Sequence, residues 1–153
     1  MKTPIASIRA LLQSQSTLVL ATAGEDGLAR STPLFYLADD ALRLYWFSSR
    51  SSLHSKHCAR NPEATVAVFI PTSAWQNIEG VQMQGRISIV KDRARRQSIV
   101  RDYAERFQLG NLFTLALRRS ALYCFVPAWV RYLHNSRHFG DKIELRLPES
   151  NEN

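Results

Sequence analysis

Val81-Gln82-Met83-Gln84-Gly85-Arg86-Ile87-Ser88-Ile89-Val90 is the stretch on which the fold class turns. Val81, Met83, Gly85, Ile87 and Ile89 fall on one face and Gln82, Gln84, Arg86 and Ser88 on the other, the period of a half-buried strand. Just upstream, Pro71 to Gly80 reads as a loop containing Trp75. Before it, Thr65 to Ile70 (TVAVFI) is a β-branched core strand. Asn61-Pro62 precedes that strand and ends a short helix expected over Leu53 to Arg60. Leu42 to Phe47 (LRLYWF) reads as another strand, entered through the turn at Asp39-Asp40. Further back, Thr17 to Ala23 and Leu28 to Leu37 form a hairpin around Gly24-Glu25-Asp26-Gly27. Pro33 puts part of that hairpin at a sheet edge or a bulge. Thr3 and Pro4 start a helix with an apolar stripe of Ile5, Ile8, Leu11 and Leu12.

Downstream, Asp92 caps a helix whose buried stripe is Val100, Tyr103, Ala104 and Phe107, and Leu112 to Leu117 is a shorter helical piece. Leu122 to Val126 and Trp129 to His134 read as two strands broken at Pro127, and a last strand is placed at Lys142 to Leu147. This set of short strands with helices between them predicts a mainly β fold, a curled antiparallel sheet or barrel with peripheral helices. Regular β-α alternation is absent, which argues against a doubly wound parallel sheet. One domain is expected over residues 1–147, with a polar tail at 148–153.

The composition is that of a globular domain: 153 residues, 45% hydrophobic and 22% charged. Lys and Arg number 20 against 13 Asp and Glu, a net charge of +7, so the partner classes are nucleic acid or a small anion. Arg93, Arg95, Arg96 and Arg101 read as one solvated helix face, and no aromatic residues interleave with them as a stacking surface would require. Cys124 reads as core. Cys58 lies beside His57 but finds no second ligand pair at metal spacing, so no metal site is expected. No secretory leader pattern and no bilayer-length apolar run is present, and the expected location is the cytoplasm.

The chemistry concentrates in Phe47-Ser48-Ser49-Arg50-Ser51-Ser52-Leu53-His54-Ser55-Lys56, where hydroxyls and cations meet the start of a helix. A phosphate needs several donors and positive charge. Serine hydroxyls, free N–H groups at a helix start and Lys, Arg or His supply both. A capped helix behind a polar loop is the alternative. Arg30 reaches the same end of the sheet as Ser48 if the strand Leu28 to Leu37 lies beside Leu42 to Phe47; otherwise it is a solvated strand position. Gln82 and Gln84 share a face, where amides either read the edge of a heteroaromatic ring or meet solvent. No G-x-S-x-G elbow, H-E-x-x-H pair or Gly-rich phosphate loop occurs, so any redox chemistry would belong to a bound cofactor.

The order of these features resembles the FMN-binding split β-barrel proteins related to pyridoxamine-phosphate oxidase. It runs from a hairpin strand with an Arg, through a strand ending in aromatic-Ser and a Ser-x-basic helix start, to Asn-Pro, an apolar strand, and a strand ending in Gly-Arg. The resemblance covers about Thr17 to Val90. Trp75 to Gly85 (WQNIEGVQMQG) and Tyr132 to Gly140 (YLHNSRHFG) are most similar to the YhbP-like branch. It implies a split antiparallel β-barrel and a homodimer with FMN at the interface. Arg30, Ser31 and Thr32 would line the flavin, Phe47 and Ser48 would match the aromatic-hydroxyl pair, and Ser52 and His54 would match the phosphate grip. Lys56 and Arg50 would assist, and Gln82 would face the ring. His54 stands where the family usually has Lys or Arg, and Leu53 where Arg is common. Related barrels handle heme, for which His134 or His138 would be the axial ligand. The expected function is therefore FMN binding with oxidoreductase chemistry on a small molecule. Heme handling is the alternative, and nucleic-acid binding ranks last.

Overall fold

The computed structural model describes residues 3–136 and 138–148, so all of the expected tail except Pro148 lies outside the described residues. Elements run α1 (Pro4–Ser14), β1 (Thr17–Ala23), β2 (Ala29–Phe35), β3 (Leu37–Ala38), β4 (Leu44–Ser48), α2 (Leu53–Arg60) and β5 (Glu63–Phe69). A single helical turn at Trp75–Asn77 then leads to β6 (Glu79–Ile89), α3 (Arg93–Arg106), α4 (Asn111–Arg119), β7 (Ala121–His134) and β8 (Lys142–Arg146). No helix among the described residues is long and apolar enough to cross a membrane.

One antiparallel sheet has the order β2-β1-β5-β6-β7-β4-β3, and β8 also pairs with β7. Only Tyr36 separates β2 from β3, so the two ends of this path belong to one continuous stretch of chain and the sheet curls on itself. That is the mainly β split-barrel architecture. β2 pairs only with β1, which leaves Pro33 on an edge. The expected neighbourhood of Leu28 to Leu37 and Leu42 to Phe47 is met only at the two residues of β3, where Leu37 faces Tyr45 and Ala38 faces Leu44.

Alternation sorts the side chains into two faces. Leu18, Leu20, Val66, Val68, Val81, Met83, Leu44, Trp46, Phe125 and Val130 point inward, where Ile8, Leu11 and Leu12 of α1 join the core. Thr3 accepts from the Ala6 N–H and Pro4 opens α1, which orients this stripe. On the outer face, Tyr45, Leu122 and Cys124 form a second cluster with Phe47 and with Ile99 of α3. The end of α3 also meets β2, where Phe107 packs on Phe35 at 4.9 Å, and the rest of the outer face is partly exposed. Val19 of β1, Ala67 of β5, Gln82 of β6 and Arg131 of β7 are successive neighbours across it.

Three expectations change. β7 is one strand, not two: Pro127 sits at a bulge between Gln84 and Gly85 and the ladder continues beyond it. Gly85 makes that possible, because a Cβ there would come within 2.8 Å of the Pro127 Cα. Leu42 lies outside β4 with φ of 63°. The basic face of α3 is not uniformly solvated. Arg95 lies over the Tyr45 ring and donates to its hydroxyl. Arg96 Nη2 donates to the carbonyls of Leu117, Arg118 and Ser120 at 3.2, 3.1 and 2.6 Å. It thereby adds a charged donor at the C-terminal end of α4, where the Leu117 carbonyl also accepts from the Ser120 N–H at 3.1 Å.

Candidate functional site

Ser48 ends β4 opposite Ala121, and its side chain follows Leu44 and Trp46 toward the inner face. There it meets the start of α2. Ser48 Oγ lies 2.7 Å from His54 Nε2 and 3.3 Å from Ser52 Oγ. Ser52 Oγ is 3.1 Å from the same His54 nitrogen, 2.7 Å from Ser55 Oγ and 2.8 Å from the Ser49 carbonyl oxygen. Ser52 is the N-cap residue by position, yet its hydroxyl makes no capping bond, and the first turn of α2 holds no acidic residue. The first-turn N–H groups of α2 therefore lack both a capping oxygen and a carboxylate, the arrangement in which a helix start receives an anion.

His54 is the only imidazole in this cluster. Burial, and then the nearby His57, disfavour its charged form and hold its pKa below the ordinary 6.5. His57 itself is buried and pairs through Nδ1 with Thr22 Oγ1 at 3.0 Å, which ties α2 to β1.

Arg30 faces Thr22 across the hairpin and points to the other flank of α2. It lines an open cleft of about 570 Å³ with Leu53, Lys56, His57, Arg60 and the turn from Gly24 to Asp26. Asp26 holds the Arg30 guanidinium in a fork, with oxygen–nitrogen distances of 3.1 and 2.7 Å. That pairing, and then the Leu28 N–H, lowers the Asp26 pKa to about 2. Arg60 is paired with Glu25 at 2.5 Å, whereas Lys56 has no ion pair among the described residues. Arg30 and Ser48 thus both lie against α2, although their strands are not paired.

The other candidates sit elsewhere. Thr32 shares the face of Arg30, opposite Leu20, while Ser31 points outward opposite Ala21. Gln82 is exposed on the uncovered outer face, and its Oε1 accepts from Arg131 Nη1 at 3.4 Å. Phe47 lies on the face opposite Ser48, edge-on to Tyr103 at 5.1 Å and beneath the Arg96 guanidinium. Arg50 is exposed and borders a small hollow of about 170 Å³ with Ser55 and Cys58. The structure therefore gathers Ser48, Ser52 and His54, sets Arg30 and Lys56 on the next flank of α2, and leaves Ser31, Gln82 and Phe47 apart.

Sequence reasoning missed Asp26, Ser55 and the Thr22–His57 pair. Asp26 stands four residues before Arg30 across the hairpin turn and Ser55 three residues after the N-cap Ser52, which is a local signal; the Thr22–His57 pair, 35 residues apart, left none.

Of the two histidines considered for heme, His138 is exposed. His134 has Nδ1 3.0 Å from Ser136 Oγ and Nε2 3.5 Å from Glu79 Oε2. The hollow beside it, about 130 Å³, is far below the roughly 300–1,000 Å³ of sites for drug-sized ligands.

Residues 5–134 match the family profile described as pyridoxamine 5'-phosphate oxidase. No curated protein matches the chain significantly. Among solved structures, a conserved hypothetical protein of Mycobacterium tuberculosis superposes with a TM-score of 0.77 at 18% identity, over 88% of this chain and 86% of that one. A Listeria innocua protein assigned as a pyridoxamine 5'-phosphate oxidase gives 0.71 at 21% identity, over 88% and 100%. A heme binding protein of Mycobacterium smegmatis gives 0.73 at 14% identity, over 95% of this chain and 59% of that one. At these identities the likeness is one of fold.

Proposed function

Because the chain belongs to the pyridoxamine 5'-phosphate oxidase family, we infer that it binds FMN and uses it in redox chemistry on a small molecule. The carrying observation is the convergence of Ser48, Ser52 and His54 on the uncapped start of α2. The phosphate sits there, receiving the two hydroxyls, the imidazole and the first-turn N–H groups. Arg30 and Lys56 supply positive charge from the adjoining cleft. The residues suit the group, with one reservation built into the site: Arg30 is already held by Asp26 and must divide its donors. FMN, when bound, supplies the capacity to accept and release one or two electrons. The chain's own part is to hold the phosphate and to keep the ring in place.

The functional unit in this reading is a homodimer in the cytoplasm. Its support is the uncovered part of the outer face, where Val19, Ala21 and Ala67 lie near exposed Phe69. A second copy against this face would bring Ser31 and Gln82 to the interface, as the family resemblance implies for residues along the flavin.

Titration of FMN with the purified protein, followed by quenching of flavin fluorescence, tests the reading. Saturable quenching is expected in the wild type. Ser48→Ala removes one donor to a charged phosphate, worth about 1.5–3 kcal/mol, and is expected to weaken binding by roughly tenfold or more. Equal binding by the two proteins would move the phosphate elsewhere. The heme reading has the fold of the Mycobacterium smegmatis protein in its favour, but the engaged ring of His134 and the small hollow beside it favour FMN.

A further inference from the structure

A second open cleft lies away from α2, between α3 and α4. Its volume is about 660 Å³, and it is lined by Arg93, Arg96, Arg101 and Arg118, by Gln97 and Thr114, and by the apolar Val100 and Ala104. We propose that this cleft is a second anion site, which takes a phosphorylated small molecule with an apolar or planar body.

Charge carries the first part of the case. Four guanidinium groups border one space and no carboxylate lines it. Guanidinium groups carry a permanent charge, so a cleft bordered by four of them favours an anion. Arg93 and Arg118 have no ion pair among the described residues, and Arg101 pairs with its exposed neighbour Asp102 at 3.3 Å and donates to Ser98 Oγ at 3.4 Å. Arg96 is different. Its Nη2 is fixed by the carbonyls at the end of α4, while Nε and Nη1 have no acceptor among the described residues. It is a pre-oriented cation at the wall of the cleft, with single N–H donors left for an anion.

Shape carries the second part. The volume falls within the roughly 300–1,000 Å³ of small-ligand sites. Half-buried Ala104 offers a little apolar surface beside the cations, above the buried Val100. Gln97 and Thr114 add a neutral amide and a hydroxyl. A bare inorganic ion would leave the apolar surface unused. An extended nucleic acid would need a basic track beyond the cleft, yet Arg95 and Arg106 are engaged within the fold.

The probes are ADP, adenosine and a single-stranded oligonucleotide, titrated calorimetrically into the FMN-supplemented protein at low and high salt. ADP is expected to bind at least about tenfold more tightly than adenosine and to weaken as salt rises. The double variant Arg93→Ala/Arg118→Ala is expected to lose about tenfold or more in ADP affinity, with an unchanged melting temperature and unchanged FMN titration. Ser48→Ala is expected to leave ADP binding intact, which separates this site from the one at α2. Equal binding of ADP and adenosine, an unaffected double variant, or loss of ADP binding in Ser48→Ala would each overturn the proposal. So would an oligonucleotide that binds much more tightly and that ADP does not displace.

Discussion

At the scale of single residues, the feature that sets this site apart is His54 in the company of Ser48 and Ser52. Burial and His57 favour its neutral form, and a bound phosphate favours the charged one. FMN binding should therefore take up a proton. Affinity is expected to rise as pH falls from 7.5 to 5.5, by no more than about tenfold per pH unit for one proton. The stability of the ligand-free protein moves the other way. Below 6.5 the unfolded chain binds more protons at His54 than the folded one, so this contribution is lost as pH falls toward the lowered folded pKa. His54→Lys should bind FMN more tightly at pH 7.5 and flatten the pH dependence; fluorescence titrations at a series of pH values read both effects. Asp26 acts in opposition. With its pKa near 2 it is ionised throughout this range and competes with phosphate for Arg30. Asp26→Asn is therefore expected to tighten FMN binding several-fold, and an unchanged affinity would mean that Arg30 does not touch the phosphate.

At the scale of elements, α4 depends on a residue from another helix. Asn111–Arg119 buries no side chain fully, and Leu112, Phe113 and Leu115 are exposed. Packing of its own face therefore contributes little, and Arg96 from α3 closes its last carbonyls. Arg96→Ala is expected to destabilise the protein by about 1–3 kcal/mol. Hydrogen exchange should show faster amide exchange in 111–119 while β5 and β6 stay protected. α3 is tied in by a related device at its other end, where Arg106 donates to the carbonyls of Gln13 and Gln15 at the C-terminal end of α1. In sequence these arginines look like surface charge, because nothing in a helical repeat says which neighbouring carbonyls will lack partners.

At the scale of the whole molecule, the sheet has one face filled by the core and another only partly covered by α3. In the dimer we infer, the uncovered part meets a second copy. Sedimentation velocity should give twice the chain mass for the wild type. Ala67→Arg, placing a charge at the centre of that face beside Val19 and Gln82, is expected to shift the protein toward monomer. A wild-type monomer, or a variant that stays dimeric, would assign the face to something else. By itself the sequence determined where most of the strands lie, the two faces of Val81 to Val90, the α2 start and the antiparallel class. Each of these follows from local periodicity and from caps, prolines and turns, which act over a few residues. Only the tertiary structure decided that β7 runs on past Pro127, since that depends on Gly85 of a different strand. It also decided that Phe47 turns away from Ser48, that Arg30 is shared with Asp26, and that Arg93, Arg96, Arg101 and Arg118 border one cleft. These outcomes rest on which surfaces meet after the sheet curls, and contacts between residues far apart in the chain leave no periodic trace in it.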